Sequence, residues 1–307
     1  MAFDDLKPQP PRTAANSRVP EPANAYGAQA LARSKAAAER SRTVLDVAFG
    51  DDYYQKLDLY LPDDARARDV PVLLYFHGGA WQHGYKEWNG FMAPVFIDLP
   101  AIFVSASYRL VPEHKFPAAQ HDAFTALQWV WRNIADHGGD PGRIFVAGWS
   151  VGGSLASLLA LRRELYPIYG LPAGIVKACF AASAGFAYPS GDPAPGDSGI
   201  TYGELMYETP EDDVLTAQVD YAKGNRVPFY ISHGSEDFRH VMNSSAAMAA
   251  ALRQADGAVT YDVFDGLDHY QTNLAHGERD DRWVATVHAW MKAPPKGGKS
   301  TPGTTTS

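Results

Sequence analysis

Gly148-Trp149-Ser150-Val151-Gly152 is the one G-x-S-x-G in the chain, and its spacing sets a hydroxyl between two residues without side chains. A serine hydroxyl is a weak nucleophile. It attacks a carbonyl when a neighbouring base takes its proton and nearby N–H groups hold the charge that develops on oxygen. The motif is short enough to arise by accident, so its flanks decide how it is read. Ile144-Phe145-Val146-Ala147 forms a short apolar run ending at the first glycine, and Leu155, Leu158, Leu159 and Leu165 follow the last at helical spacing. A strand, a tight turn and a helix are what a nucleophile elbow requires, because the serine backbone is strained there and larger neighbours clash. The helix N-terminus also favours negative charge beside Ser150. The competing reading is an ordinary strand-to-helix turn with a capping serine.

His77-Gly78-Gly79-Ala80-Trp81 follows a buried run at 72–76, and small residues there let main-chain N–H groups face a reacting carbonyl oxygen. The residue after the nucleophile, Val151, supplies a further donor. His77 itself reads as a brace for its loop. With the chain order serine, acid, histidine, the acid ends a later strand and the histidine follows the last one. The run at 228–232 is followed by His233-Gly234-Ser235-Glu236-Asp237, and the run ending at Phe264 by Asp265-Gly266-Leu267-Asp268-His269-Tyr270. His269 is therefore the candidate general base and Asp237 the carboxylate that fixes its tautomer, with Glu236 second in line. The other histidines are worse placed: His233 precedes its turn, His276 and His288 fall in the terminal helical region, and His114, His121 and His137 precede the elbow. There is no H-E-x-x-H or similar cluster, so neither a metal nor another cofactor is expected.

These residues need a scaffold that brings strand ends together. Residues 57–61 alternate apolar and polar positions as an early antiparallel strand does, and continuous apolar runs at 70–76, 101–107, 143–147, 175–181, 228–232 and 261–264 read as buried strands. Helical spacing appears at 118–134, 154–165, 243–253 and 278–291. Strands alternating with helices give an α/β fold with a mostly parallel sheet covered on both faces. A Gly-, Pro- and Asp-rich excursion over about 186–225 reads as a partial lid, since long insertions leave from strand carboxyl ends where ligands bind. Residues 1–25, polar and rich in proline, read as a disordered arm. A modest helix is expected at 26–42, inside a catalytic domain over 26–293, and residues 294–307 read as a disordered tail.

Of the 307 residues, 46% are hydrophobic, enough to bury one full core, and a net charge of −8 with scattered basic residues excludes a nucleic-acid stripe. The single cysteine, Cys179, lies in an apolar run and permits no intrachain disulfide, as in a reducing compartment. No secretory signal or membrane span is read from the sequence, so a cytoplasmic location is expected.

The combination of motifs resembles the hormone-sensitive-lipase-like esterases and the similar kynurenine formamidases of the α/β-hydrolase superfamily, over residues 44–291. The resemblance rests on His77 to Trp81, on Tyr108-Arg109-Leu110-Val111-Pro112-Glu113-His114 with Phe116-Pro117-Ala118-Ala119, on the elbow, and on the Asp237 and His269 loops. It implies the α/β-hydrolase fold, with about eight strands. It also implies oxyanion donors at Gly79 and Ala80 beside Val151, and a structural role for Arg109, Glu113 and His114. Ala80-Trp81 departs from the lipase-like H-G-G-G toward the formamidases' H-G-G-x-W, and Phe91-Met92-Ala93-Pro94 is similar to theirs. Trp149 and Val151 replace smaller or acidic residues, so Trp81 and Trp149 are expected to line a narrow, apolar acyl pocket. The expectation is a serine carboxylesterase acting on small to medium esters through an acyl-enzyme on Ser150. The alternatives are an aryl-formamidase or amidase and a non-catalytic ligand-binding homologue. Relatives dimerise through the last strand and helix, which nothing here demands, and their N-terminal segments close over the site.

Overall fold

The computed structural model describes residues 2–9, 20–194 and 199–295. Most of the expected tail and the middle of the expected arm lie outside these residues. Eight strands form one sheet: β1 (Arg42–Ala48), β2 (Lys56–Leu61), β3 (Val70–Phe76), β4 (Ile102–Ala106), β5 (Gly139–Trp149), β6 (Val176–Ala182), β7 (Phe229–Gly234) and β8 (Val259–Phe264), in the order β1-β2-β4-β3-β5-β6-β7-β8. β2 runs antiparallel to β1 and β4, and every other pairing is parallel. The helices are α1 (Pro20–Ala38), α2 (Ala93–Ile97), α3 (Ala118–Asn133), α4 (Val151–Leu161), α5 (Tyr202–Met206), α6 (Arg239–Gln254), α7 (His269–Ala275) and α8 (Arg282–Lys292). No helix among the described residues is long and apolar enough to cross a membrane.

The centre of the sheet follows from its sequence. Every residue of β3, Val-Pro-Val-Leu-Leu-Tyr-Phe, is buried. Because successive side chains point to opposite faces, an unbroken apolar run is stable only where both faces are covered. Trp283, fully buried on α8, meets Tyr75 of β3, Phe96 of α2 and Phe180 of β6 edge-on. All of α4 is buried as well, which suits a helix leaving the central strand.

Order in the sheet places the chemistry. β3 lies between β4 and β5, so the connections leaving β3 and β5 start side by side at the carboxyl edge, where open α/β sheets bind ligands.

Several elements differ from the sequence reading. β1 is an edge strand with no fully buried residue and a bulge between Val44 and Val47, so it carries no apolar run to find. α7 is a single short helix that periodicity cannot resolve. α1 begins at Pro20, inside the segment expected to be disordered, and ends at Ala38 rather than 42. Residues 2–9 are also held: the Lys7 N–H donates to the Tyr53 hydroxyl at 2.7 Å, and the Gln9 amide both donates to the Gly84 carbonyl and accepts from its N–H, at 2.7 and 2.9 Å. The 186–225 excursion contains α5 and two 3-10 turns, Pro210–Thr216 and Gln218–Tyr221.

At the β1–β2 edge a buried ammonium gathers carboxylates. Lys86 Nζ lies 2.9 Å from both Asp46 and Asp58 and pairs with Glu87. Burial pushes the Glu87 carboxyl up, Lys86 draws it back and the Asp58 charge adds to the rise, leaving it at about 7 against an ordinary 4.5. A carboxyl whose folded value is raised holds its proton longer when folded. Its contribution to stability is therefore complete below 4.5 and lost as pH rises through about 7. Urea unfolding of Glu87→Gln and wild type across this window is expected to show a shallower fall in stability with rising pH for the variant.

Candidate active site

The site is built outward from the end of β5. Ser150 adopts φ 55° and ψ −128°, a strained left-handed backbone, and its N–H donates to the Ala182 carbonyl at 2.9 Å. The strain persists because the turn has no room to relax. A β-carbon at Gly148 would run into the Gly152 carbonyl, and one at Gly152 into the carbonyl oxygens of Phe76 and His77. Both glycines of the motif are thus fixed by close backbone approach. α4 begins at Val151, whose N–H, in the first turn, has no acceptor within the helix.

The loop after β3 lies directly against this turn. A β-carbon on Gly78 would sit 3.0 Å from Ser150 Cβ and collide with the Trp149 ring. Gly79, Ala80 and Trp81 all take positive φ, 132°, 55° and 67°, and the Gln82 and His83 N–H groups both donate to the Gly79 carbonyl. His77 is fully buried, with Nδ1 2.7 Å from the Gly78 carbonyl and its ring stacked 4.3 Å from Tyr108. It braces the loop and faces away from proton transfer.

His269 Nε2 is 3.1 Å from Ser150 Oγ, and His269 Nδ1 is 2.7 Å from Asp237 Oδ1. The same carboxylate oxygen accepts from the Phe238 N–H at 2.7 Å, whereas Glu236 is exposed. Burial pushes the Asp237 carboxyl up, but the His269 charge and hydrogen bond, the Ser183 hydroxyl and the Phe238 N–H more than offset it, so the group lies below its ordinary value. It stays ionised at neutral pH. His269 is the first residue of α7, and Asp268 caps that helix by accepting from the Tyr270 and Gln271 N–H groups.

Trp81 and Trp149, expected to line an acyl pocket, are only 1% and 2% exposed. Trp81 packs edge-on against Tyr108, Phe116 and Tyr188, which joins the oxyanion loop to the 186–225 excursion. Trp149 donates its indole N–H to the His269 carbonyl at 3.0 Å and lays its ring 4.7 Å from the imidazole. A buried indole needs an acceptor, and here it finds one on the base's own backbone. Phe238 lies 4.6 Å from the imidazole as well, a neighbour that the sequence reading missed although it adjoins Asp237. A cavity of about 240 Å³ lined by Val95, Asp98, Leu99, Arg279, Val284, His288 and Lys292 touches none of these residues. The arrangement can move a proton from a hydroxyl to an imidazole whose charge is balanced by a carboxylate, beside several main-chain N–H groups.

Residues 73–194 match the family model described as an alpha/beta hydrolase fold. Carboxylesterase NlhH of Mycobacterium tuberculosis is 44% identical over 93 residues, 30% of this chain and 29% of that protein. Isoprenylcysteine alpha-carbonyl methylesterase ICME of Arabidopsis thaliana is 27% identical over 263 residues, 79% of this chain and 61% of that protein. In both cases the chain spans less than two thirds of the relative's own length. An esterase of Pyrobaculum calidifontis superposes with a TM-score of 0.68 at 23% identity, covering 88% of this chain and 92% of that one, and so shares the fold.

Gly78→Ala is expected to push the oxyanion loop off Ser150. Displacement of this order costs about 100-fold in a positioned reaction. The rate of Ser150 labelling by a fluorophosphonate should fall accordingly, while far-UV circular dichroism stays that of the wild type.

Proposed function

We propose that the chain, whose residues 73–194 match the alpha/beta hydrolase fold family model, is a serine carboxylesterase hydrolysing small to medium carboxylic esters. The observation that carries this reading is the unbroken relay from Ser150 Oγ to His269 at 3.1 Å and on to Asp237 at 2.7 Å. Ser150 Oγ attacks the ester carbonyl as His269 Nε2 takes its proton, and Asp237 balances the imidazolium. The tetrahedral oxyanion is held by the N–H groups of Gly79, Ala80 and Val151, each such donor being worth about 3–4 kcal/mol in a dry site. Collapse breaks the bond to the alcohol, which leaves with the proton from His269. Water then attacks the acyl-enzyme, His269 takes its proton, and that proton returns to Ser150 as the acid departs. All of this chemistry is carried by side chains and backbone of the chain itself. A cytoplasmic location fits the lone, buried Cys179.

One observation favours a second reading, an aryl-formamidase. The leaving group takes its proton from His269, and the partly exposed rings of Phe238 and Tyr270 lie 4.6 and 5.5 Å from that imidazole. Aromatic walls there suit an aryl leaving group.

The two readings separate on a panel of short and long p-nitrophenyl esters run beside N-formylkynurenine. Wild type is expected to turn over the short esters, Ser150→Ala to abolish this, and Asp237→Asn to lower kcat by about 10⁴-fold. A strong preference for the formamide moves the protein to the second reading. No turnover of either class by folded wild type overturns both.

A further inference from the structure

The base sits on a helix too short to hold itself. α7 is seven residues long, and isolated helices of that length are unstable in water. Its cap at Asp268 orders the first turn, yet a cap does not fix the direction in which the helix points. That direction comes from Asn273, four residues after His269 and so on the same helical face. Asn273 is fully buried. Its Nδ2 donates to the Tyr75 hydroxyl of β3 at 2.9 Å, and its Oδ1 accepts from the Tyr26 hydroxyl of α1 at 2.8 Å.

Tyr26 reaches the base by a second route as well. Its ring lies 4.7 Å from Trp149 and 5.5 Å from Tyr270, with the edge of Trp88 behind it at 5.6 Å. Trp149 in turn grips His269 through its indole N–H and its ring face. One side chain, 2% exposed, therefore contacts both supports of the imidazole: the far end of the helix that carries it and the indole beneath it.

We propose that Tyr26 is a positioning residue for the base, holding α7 through Asn273 and Trp149 so that His269 Nε2 faces Ser150. It touches no reacting atom. α1 is then part of the proton-transfer apparatus and acts by alignment. The proposal rests on the reading of Ser150 and His269 as nucleophile and base.

Tyr26→Phe keeps the ring against Trp149 and deletes the hydroxyl that Asn273 accepts, whereas Tyr26→Ala deletes both supports. With a short p-nitrophenyl ester, kcat is expected to fall about 5-fold in the first and about 100-fold in the second, with KM within twofold of wild type. The conservative variant thus recovers most of the loss. A residue that merely stabilises the fold lowers the active fraction and leaves kcat per folded molecule unchanged, whereas loss of alignment lowers kcat per folded molecule, with the folded fraction read by far-UV circular dichroism.

Should Tyr26→Ala fail to fold, the pair of Tyr26→Phe with Asn273→Ala decides. If Tyr26 acts through Asn273, the double variant matches Asn273→Ala alone, and simple additivity of the two losses overturns the proposal. Wild-type kcat in folded Tyr26→Ala overturns it too. Fluorophosphonate labelling separates this failure from that of the functional reading. If wild-type Ser150 is not labelled, the functional reading falls, and if Tyr26→Ala labels at the wild-type rate, only the positioning role does.

Discussion

The site depends on one contact in which no side chain takes part, the approach of Gly152 at the head of α4 to the carbonyl oxygens of Phe76 and His77 at the end of β3. Two backbones meet there because Gly152 has no β-carbon to hold them apart. The register of the sheet brings them together, with Phe76 paired to Gly148 across the β3–β5 ladder. Once that approach is made, Ser150 has a single backbone conformation left to it, at φ 55°. The 77–81 loop, leaving β3 one residue later, lies against the serine, where a β-carbon on Gly78 would be 3.0 Å from Ser150 Cβ. Strain of this sort costs about 1–3 kcal/mol and survives only where the surroundings over-determine it. Here the Ala182 carbonyl, the two glycines and the head of α4 all constrain the same residue.

Buried charge is handled in two ways. At the β1–β2 edge Lys86 neutralises carboxylates permanently, and the cluster ties the edge strands to the Lys86–Trp88 turn. In the site, Asp237 is just as buried, but its partner is an imidazole that can carry charge or not. A lysine in that position would hold the carboxylate equally well and could not accept a proton from Ser150, because its positive form already holds one. The Phe238 N–H helps to keep Asp237 ionised, so the carboxylate is ready when the imidazolium forms.

The parts legible in the sequence are those whose function forces a local pattern. β3 needs apolar side chains on both faces and so reads as an unbroken run, and the elbow needs glycines at fixed offsets from a serine. Asp237 and His269 stand out in the sequence because a carboxylate and a histidine follow the two last strands, and the structure brings these two together at 2.7 Å while Glu236 is exposed. What escaped has no local pattern. β1 is stabilised by pairing along one edge, α7 by a cap and by residues from β3 and α1, and the start of α1 by packing of small residues such as Ala23 and Ala30. Trp149 carries a contact that no local pattern announces, since its indole N–H donates to the carbonyl of His269, 120 residues along the chain.

The two halves of the site therefore differ in how they are held. Ser150 and the 77–81 loop are attached within a residue or two to adjacent central strands, so their separation is set by a parallel ladder buried on both faces. Asp237 and His269 follow β7 and β8, strands further along the order, and His269 stands at the start of a short helix. Beyond the backbone bond from the Glu236 N–H to the Leu267 carbonyl, that second half is held by side chains: the Asp237 carboxylate, the Trp149 indole, the Asn273 amide and the hydroxyls of Tyr26 and Tyr75. Such contacts open at lower free energy than a central ladder, since local opening follows the elements with least buried support. Disturbance at the periphery of the fold should reach His269 before it reaches the 77–81 loop. The geometry of Ser150 is thus a property of the sheet, while its reactivity is a property of what packs around the sheet's edge.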